Sequence, residues 1–326
     1  MKVYVPNYSH HAGHWIYRGY QRAWKELGYD LAFHEATLSA ADVKDESRHD
    51  HTPLVSVAAP YPSDENSMSE EYIIMAVDGA VKSESYLKSI ERSHKTFLFA
   101  QPNSFPEPWG SHINFVSICP DSSIKKLNEM DNVHLWTFGE VGKYHNKWKK
   151  VHTIPLAFDS IGYEPANNDA YKKYDISFVG GWVNNGFNEK RKIMIDIFSK
   201  FMNSGLNCGF FVGRNLTHQQ ECEVLSNSKI TLNIHDTYQR VLGNDTNERS
   251  FKSLGLNGLL VSDTVRQLNS IFPNVKTSLD SDELVQITKD YLSLTEKELN
   301  DIKEQNKQNI LENHCYTNRV QQMLDL

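Results

Sequence analysis

The chain has 326 residues, of which 39% are hydrophobic and 23% are charged, and its formal net charge is −7. This length favours two domains over a single core, and the composition excludes a largely disordered chain. The negative charge argues against a non-specific nucleic-acid binder, whose affinity comes from neutralising phosphates. No run approaches the roughly 18 apolar residues of a transmembrane helix, so we expect no membrane span.

The N-terminus and the cysteines indicate the compartment. Residues 1–6 have the pattern of a strand and lack the long apolar core of a secretory signal. The 4 cysteines are scattered and form no Cys-x-x-Cys pair, which is typical of free thiols in a reducing compartment. We therefore expect a cytoplasmic protein, in the host cytoplasm if it is viral. The sequence does not indicate an oligomeric state.

Strand and helix patterns alternate along the N-terminal half. Short apolar runs predict strands at residues 2–5, 71–77, 95–100, 114–119, 133–138 and 151–154. Helical spacing of apolar residues predicts helices at residues 15–27, 83–93 and 121–130. Pro, Gly, Asn and Asp then accumulate over residues 155–168, and this accumulation indicates a domain boundary.

The alternation begins again after this boundary. Strands are predicted at residues 174–179, 207–212, 230–234 and 259–262. Helices are predicted at residues 189–202, 218–228, 282–292 and 296–311, with a helical tail to residue 324. The pattern predicts two α/β domains with parallel sheets, residues 1–155 and 156–326, with the extreme C-terminal helix able to cross back. Because ligands of such sheets bind beyond the carboxyl ends of the strands, we expect the site in a cleft between the domains.

The most informative segment is residues 247–263, which predicts a short helix, a glycine break and a buried strand. Arg249 lies in the first turn of this helix, where free N–H groups and a partial positive charge favour anions. Its planar guanidinium suits phosphate. We expect a phosphate ester here, in particular the diphosphate of an activated sugar. An amphipathic helix with an exposed arginine is the alternative.

Other strand ends in the C-terminal half carry residues suited to the same anion. Gly180 and Gly181 follow one strand and precede a helix that begins with basic residues. Glycines let backbone N–H groups approach phosphate, and cations neutralise it, although a plain strand-to-helix turn gives the same pattern. The expected donor-binding residues are Gly180, Gly181, Lys190, Arg191, Arg214, Asn233, His235, Arg249, Ser250 and Lys252.

Polar residues that follow strands of the N-terminal half suit an acceptor site. A histidine-rich loop follows the first strand, and imidazole transfers protons near neutral pH; a merely polar loop and a metal site are the alternatives. A carboxylate directly after a buried strand is rigidly placed, and aromatic rings of the loop 101–109 can stack on a sugar, unless this loop is only a stiff surface turn. The expected catalytic residues are Asp78, His11, His14 and Glu107, and the expected acceptor-binding residues are His10, Gln101, Phe105 and Trp109.

Taken together, these residues resemble the glycosyltransferases of the GT-B architecture, in which two Rossmann-like domains face each other across a cleft. Residues 151–326 are similar to the CgeB/YkvP-like family, whose Asn-x-Arg-x-Phe-Glu helix is matched by Asn247, Arg249 and Phe251. Further matching segments are residues 155–159, 228–234, 258–263 and 314–319. A weaker likeness to phage DNA glucosyltransferases rests on Gly180-Gly181, Lys190-Arg191 and Arg249 with Lys252.

The resemblance implies a hexosyl- or pentosyltransferase that moves a sugar from a nucleotide diphosphate, with UDP as the expected nucleotide, to an acceptor hydroxyl. The acceptor would be a polysaccharide, a protein or a hydroxymethylated viral DNA base, and no metal or other cofactor would be obligatory. Lys252 replaces the family's glutamate, and Asn244 and Lys252 replace the acids of a retaining Glu-x7-Glu signature. Inversion and retention therefore stay open. A non-catalytic nucleotide-sugar or glycan-binding protein and a sugar-nucleotide epimerase are the alternatives.

Overall fold

The computed structural model describes residues 1–7, 11–35, 71–81, 83–112, 115–140, 142–182, 189–214 and 216–326. Within these residues the chain forms two compact units. Unit 1 consists of Met1–Pro155 and Thr317–Leu326, and unit 2 consists of Leu156–Tyr316. The chain therefore leaves unit 1 after residue 155, and its last helix belongs to unit 1 again.

Unit 1 is built on a parallel sheet with six strands among the described residues, in the order β2-β1-β3-β4-β5-β6. The strands are β1 (Lys2–Asn7), β2 (Asp30–Glu35), β3 (Tyr72–Val77), β4 (Lys95–Phe99), β5 (Val133–Thr137) and β6 (His152–Thr153). The helices between them are α1 (His11–Glu26), α2 (Glu84–Arg92) and α3 (Asp121–Leu127). The strand order reverses between β1 and β3, which is where open α/β sheets bind ligands.

Unit 2 is built on a parallel sheet with five described strands, in the order β11-β10-β9-β7-β8. The strands are β7 (Ile176–Gly180), β8 (Cys208–Val212), β9 (Ile230–Asn233), β10 (Leu260–Ser262) and β11 (Lys276–Thr277). The helices are α4 (Lys190–Met202), α5 (His218–Asn227), α6 (Thr237–Leu242), α7 (Glu248–Leu256), α8 (Arg266–Ile271), α9 (Ser281–Leu292) and α10 (Glu296–Asn313). The last helix, α11 (Tyr316–Leu324), belongs to unit 1 from Thr317 onward. Here the order reverses between β7 and β9.

Each unit has a core of its own. In unit 2, Phe178 and Leu232 from the sheet pack in one cluster with Met194 and Phe201 of α4 and Leu284 of α9. In unit 1, residues of β3, β4 and β5 pack with α2 and α3 in the same way. Each large apolar side chain buried in such a cluster stabilises the fold by about 1.5–3 kcal/mol. The cores thereby fix the carboxyl ends of the strands.

Two glycines let α7 pack closely against its neighbours. A Cβ atom at Gly255 would lie 2.7 Å from the ring of Phe158. Gly258, which follows α7, has a φ of +83°, and a Cβ atom there would lie 2.7 Å from the carbonyl carbon of Lys303 in α10. Side chains rarely adopt this φ, and the close approach excludes them at both positions. The packing of α7 in turn places the first turn of the helix, which contains Arg249.

The structure differs from the sequence-based expectation at several places. Helix α1 begins at His11, so the predicted histidine-rich loop is largely the first turn of a helix. The described part of the predicted strand 114–119 is irregular, because the backbone of Ser117 donates to the carbonyl of Pro102 instead of a neighbouring strand. Strands β2 and β11 and helices α6 and α8 are absent from the prediction. Strand β11 and helices α6 and α8 are too short to show an apolar periodicity.

Candidate functional site

The guanidinium of Arg249 bridges the carboxyl ends of two strands in unit 2. Its Nε donates to the carbonyl of Val179 at 2.8 Å, at the end of β7. Its Nη1 donates to Asn233 Oδ1 at 3.1 Å and to the carbonyl of Ile234 at 3.3 Å, at the end of β9. Its Cζ lies 4.8 Å from the centre of the Phe178 ring, which is cation–π geometry. Arg249 therefore occupies the place where the strand order reverses.

One terminal nitrogen of Arg249 is available to a ligand. Among the described residues, Nη2 has no hydrogen-bond partner, and no carboxylate lies within ion-pair distance of the guanidinium. Nη2 lies beside Gly180, where an added Cβ atom would collide with it and would lie 2.9 Å from Cζ. A charged donor at the first turn of a helix, beside the backbone of the half-buried Gly180, is suited to an oxyanion.

Beside the half-buried Arg249 lies a second cation, Lys190, which is buried. Lys190, the first residue of α4, has its Nζ 2.8 Å from Asp236 Oδ1. Burial lowers the pKa of Lys190, and the charge of Arg249 lowers it as well, while Asp236 opposes both. Burial also lowers the pKa of Arg249, against the charges of Asp236 and Glu248. Burial disfavours the charged forms of Lys190 and Arg249. A bound anion would stabilise the charged forms of both side chains.

Three predicted donor-binding residues have a different position. Asn233, His235 and Ser250 are fully buried, so they offer no atom to a ligand and instead lie behind Arg249. The structure thus brings Gly180, Gly181, Lys190 and Arg249 to one edge of the sheet.

Two predicted donor-binding arginines lie on the surface of unit 2. Arg191 packs over the ring of Trp182 at 4.8 Å. Arg214 is exposed and follows Gly213, whose N–H donates to the carbonyl of Gly180 at 3.0 Å. The carboxyl ends of β7 and β8 are therefore linked, and Arg214 follows this link directly.

Lys252, also a predicted donor-binding residue, neutralises two carboxylates. Its Nζ lies 2.9 Å from Glu221 Oε1 and 3.5 Å from Glu248 Oε1, and its side chain is 8% exposed. Burial opposes this charge, but Glu248 and Glu221 outweigh it and raise the pKa of Lys252. A glutamate at position 252, as in the family that the sequence resembles, would add a third carboxylate to this pair. The positive charge of Lys252 therefore balances the negative charges of Glu221 and Glu248.

In unit 1, Asp78 lies at the carboxyl end of β3, where the strand order of that sheet reverses. Its Oδ2 accepts the N–H of Gln101 at 2.9 Å. Burial raises the pKa of Asp78 to about 6, against hydrogen bonds from Ser117 and Gln101. A carboxylate with this pKa is ionised at neutral pH and suited to accept a proton. It is also fully buried, so no acceptor contacts it unless the surrounding loops open.

The other residues predicted for the acceptor site are spread over unit 1. Glu107 is exposed, and its Oε2 accepts the hydroxyl of Ser111 at 2.9 Å. Phe105 stacks on Tyr144, with 5.3 Å between ring centres. Trp109 is 6% exposed, so its ring packs in the interior and presents little surface for stacking.

The remaining residues predicted for the acceptor site are Gln101, His11, His14 and His10. Gln101 accepts the indole N–H of Trp148 on its carbonyl at 2.9 Å, in addition to its bond to Asp78. His11 and His14 belong to the first turns of α1. His10 lies outside the described residues.

Sequence reasoning missed Asp236, Thr246 and the role of Asp263. Asp236 with Gln239 forms a capping box at the start of α6, and this Asp-x-x-Gln spacing was a signal available in the sequence. Its ion pair with Lys190 joins distant segments and left no such signal.

Comparison with known proteins gives a match between part of the chain and one family model. Residues 172–325 match the family model described as glycosyl transferase-like. The match includes the whole site around Arg249. No curated protein matches the sequence at a significant level.

Solved structures show the same fold at low identity. The N-terminal domain of trehalose-6-phosphate phosphatase from Candida albicans has a TM-score of 0.51 at 9% identity, over 80% of this chain and 70% of that chain. A UDP-forming α,α-trehalose-phosphate synthase from Burkholderia vietnamiensis has a TM-score of 0.51 at 10% identity, over 78% and 72%. The α,α-trehalose 6-phosphate synthase from Burkholderia multivorans has a TM-score of 0.50 at 11% identity, over 78% and 70%.

The fold is GT-B, with two Rossmann-like domains. Within the described ranges, no helix has both the length and the apolar character needed to cross a bilayer. The same residues contain no group of three or more His, Cys, Asp or Glu side chains arranged to hold a metal ion.

Replacing Gly180 tests whether the space beside Arg249 matters. The methyl group of Gly180→Ala collides with the guanidinium, so we expect binding of inorganic pyrophosphate to weaken by about tenfold or more, the scale of one charge-assisted hydrogen bond. Isothermal titration calorimetry gives the affinity. Gly209→Ala is the matched control, because its methyl group meets Tyr174 at 2.8 Å in the same sheet. Equal affinities of the two folded variants would contradict the prediction.

The raised pKa of Asp78 predicts that the free energy of unfolding depends on pH. Between its usual pKa of 3.8 and its raised pKa of about 6, the folded chain keeps a proton that the unfolded chain has lost. Stability contributed by Asp78 is therefore complete below this window and is lost as the pH rises through it, by about 3 kcal/mol in total. Urea denaturation should show Asp78→Asn gaining stability relative to wild type over this window. Asp121→Asn, an exposed aspartate of the same unit, is the control. Parallel profiles for wild type and Asp78→Asn would refute the assignment.

Proposed function

We propose that the chain is a glycosyltransferase that takes a sugar from a nucleotide diphosphate, with UDP as the nucleotide, and transfers it to an acceptor hydroxyl. The observation that carries this proposal is Arg249, whose Nη2 is open to a ligand beside Gly180 while its other nitrogens are held by the ends of β7 and β9. The family match over residues 172–325 supports it, because it covers this site.

The proposed reaction places the growing negative charge at this site. The acceptor oxygen forms a bond to the anomeric carbon of the sugar, and the bond from that carbon to the diphosphate oxygen breaks. UDP leaves with the bonding electrons, and the acceptor proton passes to a base. Nη2 of Arg249, the ammonium of Lys190 and the N-terminus of α7 would stabilise the leaving diphosphate.

We assign the acceptor to unit 1, where the base of an inverting reaction would lie. Asp78 has a pKa suited to proton acceptance but is enclosed, and Glu107 is exposed. His11 and His14 complete the set of candidates. Loss of turnover in Asp78→Asn alone would assign the base to Asp78, and loss in Glu107→Gln alone would assign it to Glu107. Turnover that survives substitution of all four would favour a retaining reaction.

The acceptor classes to test follow from the resemblances in sequence. From the likeness to the CgeB/YkvP-like family we propose a polysaccharide or a protein as the acceptor. From the weaker likeness to phage DNA glucosyltransferases we propose hydroxymethylated DNA. Radiolabelled UDP-glucose, UDP-galactose and UDP-N-acetylglucosamine, each incubated with these three acceptors, would identify the pair by transfer of label. Whether the sugar is a hexose or a pentose is decided by the same panel extended to UDP-xylose.

Substitution of Arg249 tests the proposal directly. Arg249→Gln removes the charge, so we expect UDP affinity to fall by about 10- to 100-fold and UDP release from the active donor to fall by about 10²- to 10³-fold. Calorimetry and a UDP-release assay provide the two measurements. Arg266→Gln, in α8 of the same unit, is the control, because its Nη2 donates to Asn244 and lies outside this site.

The same assays separate the alternatives. Donor binding that depends on Arg249 without any sugar transfer would indicate a nucleotide-sugar binding protein. Interconversion of two UDP-sugars without an acceptor would indicate an epimerase. Unchanged UDP affinity in folded Arg249→Gln would reject the proposed donor site.

A further inference from the structure

Fully buried polar side chains of unit 2 form a continuous hydrogen-bonded chain behind Arg249. The members are Asp263, His235, Thr246, Ser250 and Asn233. The links are His235 Nδ1 to Asp263 Oδ1 at 2.6 Å, His235 Nε2 to Thr246 Oγ1 at 2.8 Å, Thr246 Oγ1 to Ser250 Oγ at 2.8 Å, and Asn233 Nδ2 to Ser250 Oγ at 3.0 Å. The chain ends at Asn233, which accepts from Nη1 of Arg249.

The chemistry of the two ends orients the whole chain. A guanidinium only donates, so the Asn233 atom that faces Arg249 is the carbonyl oxygen, and the amide nitrogen turns toward Ser250. At the other end an ionised Asp263 only accepts, so Nδ1 of His235 carries a proton. The hydroxyls of Thr246 and Ser250 both donate and accept, and they join the two oriented ends without an unsatisfied group.

The same residues do not form a nucleophile with its base. Asp263, His235 and Thr246 have the order of an acid, a base and a hydroxyl, as in hydrolytic triads. All three are fully buried, and the next partner of the Thr246 hydroxyl is Ser250, not open space. The arrangement therefore holds side chains in place and does not attack a substrate.

We infer that Thr246, His235 and Asp263 are positioning residues that hold Asn233, and through it the guanidinium of Arg249, in the orientation that leaves Nη2 open to an oxyanion beside Gly180. This inference rests on the proposed donor site. It assigns to three buried residues, Thr246, His235 and Asp263, an effect on how tightly a diphosphate binds although none of them contacts the ligand.

The physical reason is preorganisation. The Asn233 side chain is one of the acceptors that fix Nη1, and its own amide is fixed by Ser250 and, at 3.3 Å, by Ser262. A guanidinium already held in its binding orientation loses less freedom when an anion arrives. Burial raises the pKa of Asp263, but the contact with His235, the hydrogen bonds from His235 and the charge of Arg240 outweigh burial and lower the pKa below its usual value, so the carboxylate stays ionised.

The test interrupts the chain at one hydroxyl. Thr246→Val removes the hydroxyl and keeps the shape, and we expect it to raise the dissociation constants of pyrophosphate and UDP by about 5- to 10-fold. Thr231→Val is the matched control, because Thr231 is also fully buried in unit 2 and its hydroxyl donates to the carbonyl of Leu259. Thr246→Ser restores the hydroxyl and should restore the affinity. Calorimetry measures all three, and thermal melts confirm folding.

The outcomes separate this inference from the proposed function. If Arg249→Gln loses affinity while folded Thr246→Val binds like wild type, the positioning role is wrong and the donor site stands. If Thr246→Val and Thr231→Val weaken binding equally, the effect is general destabilisation and the inference also fails. If pyrophosphate and UDP affinity is unchanged even in Arg249→Gln, the donor site itself is wrong. Ser250→Ala breaks the next link, and it decides the question if Thr246→Val does not fold.

Discussion

The candidate site of unit 2 depends on holding the guanidinium of Arg249 between the ends of β7 and β9. A charge that is partly removed from water is destabilised unless polar groups replace the lost water. The carbonyl of Val179, the side chain of Asn233 and the face of Phe178 supply that replacement. Gly180 must lack a side chain for the same reason. The ends of β7 and β9, where the strand order reverses, therefore position the guanidinium of Arg249.

The balance of charge around this group is what makes it a candidate site. Three other buried or half-buried cations of unit 2 have carboxylate partners: Lys190 has Asp236, Arg240 has Asp263, and Lys252 has Glu221 and Glu248. Within the described part of the chain, Arg249 is held by neutral oxygens. Its charge is thus stabilised in place without being neutralised. An incoming oxyanion would supply a negative charge in direct contact with the guanidinium.

The sequence predicted the fold class and the position of Arg249 because both follow from local patterns. The alternation of strands and helices predicted parallel sheets, and a helix start next to a basic residue predicted an anion site. It did not predict that Trp109 and Lys252 are buried, since burial depends on which segments pack together. The link from Asp263 to Arg249 joins three segments that are distant in the sequence, and such tertiary contacts leave no periodic signal.

A crystal structure of the chain soaked with UDP tests the central claim most directly. The account predicts a diphosphate oxygen about 2.7–2.9 Å from Nη2 of Arg249, beside the backbone of Gly180 and Gly181. Nε and Nη1 should still donate to Val179 and Asn233, because the site is preorganised. A diphosphate bound elsewhere in the chain, with no phosphate oxygen in hydrogen-bond reach of Nη2, would contradict it.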